Sequence, residues 1–244
     1  MESQFVRTEL LLGKQALEVL AKARVAVFGL GGVGGAAAEA LARAGVGALD
    51  LIDNDTVALS NLNRQLIATH ETLGLAKTEA AAARVRAINP SCTVRTHALF
   101  YLPETADAID LSAFDYLVDA VDTVSAKLCL AERARDAGVP LISCMGTGNK
   151  LDPTAFRVCD LFKTSGDPLA RVMRSACRKR GIRKLKVVWS PEEPLQPFGT
   201  SAQTPAQGKR SVPGSVSFVP PVAGFILAGE AVKDLIALSK KASV

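Results

Sequence analysis

Residues 24–34, RVAVFGLGGVG, constrain the fold more than any other stretch of the chain. Residues 25–28 are a short apolar run with β-branched members, which predicts a strand. Gly29-Leu30-Gly31-Gly32-Val33-Gly34 then fits G-x-G-x-x-G and leads into an alanine-rich helix to about Arg43. Glycines in such a turn allow close backbone approach, and the helix N-terminus offers free N–H groups to phosphate. Residues 49–52 predict a second strand ending at Asp53, whose carboxylate can take a ribose hydroxyl. The unit predicts an α/β fold with a Rossmann-like, mostly parallel sheet. Alone, the turn suits an NAD-binding dehydrogenase as well as any nucleotide enzyme, and glycines there can also serve packing.

The next stretch shifts the balance. Asp53-Asn54-Asp55 runs into Ser60-Asn61-Leu62-Asn63-Arg64-Gln65. A dinucleotide fold has no need of a polar, arginine-bearing loop at that point. Triphosphate chemistry does, because developing negative charge wants cations and hydrogen-bond donors.

Composition excludes several classes. The 244 residues are 48% hydrophobic, enough for a substantial core, yet residues 222–238 carry Glu230, Lys233 and Asp234 and so predict a packed helix, not a membrane span. Glu2, Arg7 and Glu9 precede any apolar run, which argues against a signal peptide. Cys92, Cys129, Cys144, Cys159 and Cys177 show no C-x-x-C, which argues against a disulfide framework and a four-cysteine zinc site and for the cytoplasm. The net charge of +5 permits a polyanionic partner.

Further along, residues 9–22 predict one amphipathic helix with Arg7 just before it. A helix at about 75–88 closes at Asn89-Pro90, and Lys77 in its first turn opposes the helix macrodipole. Strands are expected at 93–99, 115–121 and 140–144. Asp122 follows the second of these, where it can cap the next helix or, at a strand's C-terminal end, meet a ligand. Cys144 reads as a buried thiol or a nucleophile, and neither His70 nor His97 belongs to a recognisable catalytic motif. From residue 155 the αβ rhythm stops. Residues 156–161 and 186–189 read as antiparallel additions around a helix at 169–180. Arg171, Arg174 and Arg178 recur on that helix, with Lys179, Arg180, Arg183 and Lys184 nearby, opposite Leu169, Val172, Met173 and Ala176. Such a face is a solvated surface or a nucleic-acid contact. Residues 190–215, rich in Pro, Ser, Gln and Gly, predict a mobile loop, and 216–219 a last strand.

GLGGVG, D-N-D and SNLNRQ together resemble the adenylating superfamily of ubiquitin-activating enzymes and their bacterial relatives, which activate carboxylates for thiamin and molybdopterin biosynthesis. The resemblance implies ATP and Mg²⁺ as cofactors. It implies nucleotide contacts from Gly29, Gly31, Gly32, Gly34, Asp53, Asn61, Arg64, Gln65 and Lys77. Arg64 and Lys77 become phosphate-binding cations, and Asp122, the second aspartate of D-A-V-D at 119–122, the Mg²⁺ ligand. Arg7, in Phe5-x-Arg7, becomes the residue that reaches across a homodimer to the partner's ATP.

Within that superfamily, Asp152-Pro153-Thr154, Lys163-Thr164, Asp167-Pro168-Leu169-Ala170 and Ser217-Phe218-Val219-Pro220 with Ala223-Gly224 are similar to the tRNA threonylcarbamoyladenosine dehydratases. The likeness covers about residues 5–238 and is weakest over 190–214. Residues 178–244 contain no cysteine, unlike the sulfur-carrier branches. The resemblance implies ATP-dependent cyclisation of a modified adenosine beside the tRNA anticodon, through an acyl-adenylate. It also implies one adenylating domain over 1–244, with 151–215 as its tRNA-facing extension. Adenylation of a sulfur-carrier protein's C-terminus and an NAD-dependent oxidoreductase remain the alternatives.

Overall fold

The structure, a computed structural model, describes residues 3–199 and 212–242. Strands β1 (Arg24–Phe28), β2 (Ala48–Ile52), β3 (Thr93–His97), β4 (Tyr116–Asp119), β5 (Leu141–Cys144), β6 (Arg157–Asp160) and β7 (Lys186–Trp189) make one sheet in the order β3-β2-β1-β4-β5-β7-β6. All neighbours are parallel except β6 and β7. The chain starts at β1, builds outward to β3, then returns to lay β4 on the other flank. The carboxyl ends of β1 and β4 are therefore a topological switch point, where open α/β sheets bind ligands.

Period-two alternation buries both faces of the sheet. Val25, Val27, Leu49, Leu51, Tyr116 and Val118 join one core, shared with the helices α3 (Gly32–Ala44), α4 (Lys77–Ile88) and α7 (Pro220–Ala242). Ala26, Phe28, Ile52 and Leu117 face the other, under α5 (Val124–Ala137). A third cluster joins α5 to α6 (Pro168–Lys179) and β7. The long α7 lies so close to α3 that a Cβ on Gly224 would stand 2.2 Å from the Val33 carbonyl oxygen. No helix among the described residues is long and apolar enough to cross a membrane.

Three expectations need correction, and a fourth falls partly outside the described residues. The N-terminal helix is two, α1 (Val6–Leu12) and α2 (Lys14–Lys22), because Gly13 sits at φ +83°, a conformation no helix continues through. Strand β7 is parallel to β5; only β6 is an antiparallel addition. Residues 216–219 pair with no strand: they lead through a turn into α7, where Pro220-Pro221 fills the first helical positions. Of the segment 190–215, Ser190 is fully buried and 200–211 lie outside the described residues.

Candidate active site

The glycine turn leaves β1 at the switch point. Gly29 has φ +84°, and a Cβ there would stand 2.8 Å from the Ala120 carbonyl oxygen. A Cβ on Gly34 would lie 1.7 Å from the Gly29 oxygen, and one on Gly32 2.9 Å from Pro220. Packing alone demands these three glycines. Gly31 differs: its Cβ would meet nothing nearer than the Gln65 amide nitrogen at 3.9 Å. Its missing side chain leaves room on the open side of the turn, at the start of α3, where an anion finds unpaired N–H groups. Asp53 fixes this geometry, its carboxylate accepting from Leu30 N at 2.6 Å and from Asp55 N at 2.8 Å.

The SNLNRQ loop brings Arg64 against Gly32. The guanidinium donates to the Ser60 carbonyl and to Asn63 Oδ1, both at 2.9 Å. Neither acceptor is charged, no carboxylate among the described residues pairs with it, and burial lowers its pKa from the usual guanidinium range. Asn61 closes the loop by accepting from Ala58 N at 3.1 Å. Gln65 is buried, and its Oε1 has no hydrogen-bond partner among the described residues. A half-buried cation with no carboxylate partner among the described residues, beside a glycine that leaves room, fits a bound polyphosphate, whereas the orphaned Gln65 oxygen is an acceptor and suits a donor such as a base N–H or ribose O–H.

Lys77 is the first residue of α4 and is buried, its ammonium 2.7 Å from Asp55 Oδ2. That carboxylate is 59% exposed, so it holds the lysine at the site's rim rather than sealing it in. The D-x-D spacing was visible in the sequence, but this role of Asp55 was not, because it depends on where α4 begins.

Asp122 is exposed in the link from β4 to α5, with Thr123 Oγ1 3.4 Å from its Oδ1. Thr123, not Asp122, is the N-cap of α5, so capping does not account for the aspartate. The link is fixed from below. Asp119 Oδ1 accepts from Val121 N at 3.1 Å, while its Oδ2 takes Lys127 Nζ at 2.9 Å and Ser143 Oγ at 2.5 Å, all three side chains buried. Sequence reasoning missed this trio because lysine is rarely buried. No group of three or more His, Cys, Asp or Glu among the described residues is placed to hold a metal.

Cys144 ends β5 with its thiol enclosed, and burial pushes its pKa up to about 12. A thiol this far from ionisation is a poor nucleophile. Cys144→Ala is expected to keep most activity with a modest loss of stability; an activity loss of orders of magnitude in a folded variant would reinstate it. His97 pairs with buried Asp50 at 2.8 Å, and His70 is exposed.

The basic residues of α6 divide into two groups. Arg174 bonds Thr164 Oγ1, Arg178 lies over the Phe162 ring at 5.4 Å, and Arg180 pairs with Glu132 at 3.2 Å. Arg171, Lys179, Arg183 and Lys184 are exposed, and their side chains have no hydrogen bond or ion pair among the described residues. Val172, expected on the apolar face, is 47% exposed, because helical rotation turns it away from buried Met173. Arg7 is exposed on α1, and nearby Phe5 packs on Gly45 at the far end of α3. Thirteen residues of α3 put that end about 20 Å from the glycine turn. The structure thus gathers the glycines, Asp53, Asn61, Arg64, Gln65, Lys77 and Asp122 along one edge, and leaves Arg7 away from it.

The chain matches the ThiF family over residues 5–243. It is 43% identical to the tRNA threonylcarbamoyladenosine dehydratase of Bacillus subtilis, over 97% of this chain and 96% of the relative. Among solved structures it resembles the E. coli tRNA N6-threonylcarbamoyladenosine dehydratase in complex with AMP, with TM-score 0.88, 36% identity and coverage of 98% of this chain and 96% of that one. The ATP complex of the E. coli protein matches with TM-score 0.86 and 35% identity, at the same coverage.

Proposed function

The chain belongs to the ThiF family, and we propose that it is an ATP-dependent tRNA threonylcarbamoyladenosine dehydratase. The observation that carries the reading is the half-buried Arg64 guanidinium, without a carboxylate partner among the described residues, beside the open side of Gly31. The chain works as one adenylating domain, with residues 151–215 as its RNA-facing part, on tRNA in the cytoplasm.

The α-phosphate of ATP sits over Gly31 and the start of α3. The carboxylate of the threonyl group attacks it, pyrophosphate leaves, and the acyl-adenylate is then attacked by the carbamoyl group of the same side chain, releasing AMP and closing a ring. The second step is intramolecular, so its nucleophile arrives already in place. Arg64 and Lys77 bind phosphate oxygens and stabilise charge as pyrophosphate departs, Lys77 exchanging Asp55 for phosphate. Asp53 takes the ribose, and Asn61 and Gln65 hold the base and phosphate side of the pocket. Asp122 would hold Mg²⁺, which would supply charge neutralisation on the triphosphate. Pyrophosphate release tests the reading: it should require tRNA carrying the acyclic modified adenosine. Release driven instead by a sulfur-carrier protein would overturn it.

Arg7 completes a second copy's site. Phe5, two residues before it, packs at the far end of α3, about 20 Å along that helix from the glycine turn, which supports this, as do Leu10 and Leu11 on α1, 84% and 85% exposed. Mixed dimers of Arg7→Ala with Asp122→Ala should regain activity, since one of the two sites then recovers both groups. Proven subunit exchange without recovery would exclude the arrangement.

RNA lies along α6. That helix starts beside the site, where Asp167 abuts Gly146, and carries the chain about 18 Å away over its twelve residues. Arg183 and Lys184 beyond its end thus meet backbone phosphates, which position RNA without reading its sequence. Arg183→Ala/Lys184→Ala should weaken all tRNAs alike and flatten the log–log salt dependence by roughly 0.7–0.9 per lost contact. Arg174→Ala should change that slope less, because Arg174 is already committed to Thr164. Salt titrations with equal slopes for both variants and the parent would move the RNA elsewhere.

A further inference from the structure

Asn149 is the one non-glycine residue among the described residues with positive φ, +58°. It follows β5 and holds the chain on both sides of residues 200–211. Leu195 N donates to its carbonyl at 2.7 Å, its own N–H donates to the Gly214 carbonyl at 2.8 Å, and Gly214 N donates to its Oδ1 at 2.6 Å. A Cβ on the preceding Gly148 would stand 2.8 Å from Pro213. Two further attachments follow. Asn63, next to Arg64, donates to the Ser215 carbonyl at 3.0 Å, and Pro220 rests on Gly32. Residues 213–220 are thus a strap that begins on the β5 loop, crosses to the arginine loop and ends on the glycine turn. It carries Phe218, 49% exposed, an aromatic face on which an unstacked base can lie.

We propose that Asn149 is a positioning residue that pins this strap across the carboxyl edge of the sheet and so sets affinity for the RNA substrate without setting affinity for ATP. The proposal rests on the functional reading above. The side chain matters because of its geometry. Asparagine adopts the left-handed conformation more readily than other residues with a Cβ, and its amide oxygen faces the backbone N–H that the strap presents. The strap has its own contacts to the glycine and arginine loops, so the nucleotide pocket survives loss of the Asn149 side chain.

Asn149→Gly keeps the backbone conformation and both main-chain bonds and removes only the Oδ1 contact. It should raise the KM for tRNA about five-fold, the size of one net hydrogen bond, with KM for ATP and kcat unchanged. Asn149→Asp retains the acceptor and should restore the parent KM. Gly148→Ala, which pushes Pro213 away, should act in the same direction as Asn149→Gly. An unchanged tRNA KM in both Asn149→Gly and Gly148→Ala would overturn the proposal. So would equal rises in the KM for tRNA and for ATP, or an Asn149→Asp variant as impaired as Asn149→Gly. A parent protein that forms no AMP with tRNA would overturn the functional reading and this proposal together; a parent that does, with variants that match it, would overturn this proposal alone.

Discussion

Lys77→Ala is expected to lower tRNA-dependent AMP formation by about 10²–10³-fold, the usual cost of removing one donor aimed at developing charge. The protein should remain folded. The lysine's partner, Asp55, is 59% exposed and stays solvated when the ammonium is removed, so no buried carboxylate is stranded. Activity should thus fall while the urea midpoint hardly moves. Arg64→Ala should behave alike, because its guanidinium is bonded only to uncharged acceptors. Near-parent turnover in either variant would remove that cation from the phosphate site. Equal loss of activity and stability would make it a structural residue.

Lys127→Met should do the reverse and strike stability first. Lys127 and Asp119 have side-chain exposures of 0% and 1%, so removing the ammonium strands a carboxylate in the interior. The expected cost is about 3–5 kcal/mol, read as a lower urea midpoint at unchanged m-value. Ser143 still donates to Asp119 in that variant, but a neutral hydroxyl does not balance the charge. Adding Asp119→Asn should recover part of the loss, since the residual pair is then uncharged. A single variant as stable as the parent would mean that water or a rearranged group reaches Asp119. The trio matters for function because Asp119 holds Val121 N, and thereby shapes the link that carries Asp122.

How much of this was legible in the sequence depended on whether the cause was local. The glycine turn, the β1–α3 unit and the parallel strands through β5 were readable, because apolar runs, alanine-rich periodicity and glycine spacing act over a few residues. The reading of 216–219 as a strand failed for a reason that periodicity cannot register: Val219 is buried at the entry to α7, not in a ladder. Strand β7 was recognised but not its direction, which is set by the return of α6 from the carboxyl edge. Candidate residues on the SNLNRQ loop and α4 could be nominated from their types, whereas the desolvation of Arg64 and the Asp55–Lys77 pair required the packed structure. Asn149 was invisible for the same reason, since it bonds a residue 65 positions away. The division of the α6 arginines was equally out of reach, because helical spacing places a charge on a face but cannot show Phe162 or Thr164 beneath it.

If ATP is used to cyclise the tRNA side chain, the modified nucleoside must lose one water. The most direct measurement is the mass of the modified nucleoside, digested under mild conditions from tRNA incubated with the protein, ATP and Mg²⁺. The expected result is a nucleoside lighter by one water, formed with one AMP per conversion, and absent when ATP is omitted or Lys77→Ala replaces the parent. An unchanged nucleoside mass alongside steady AMP release, or the same conversion without ATP, would contradict it.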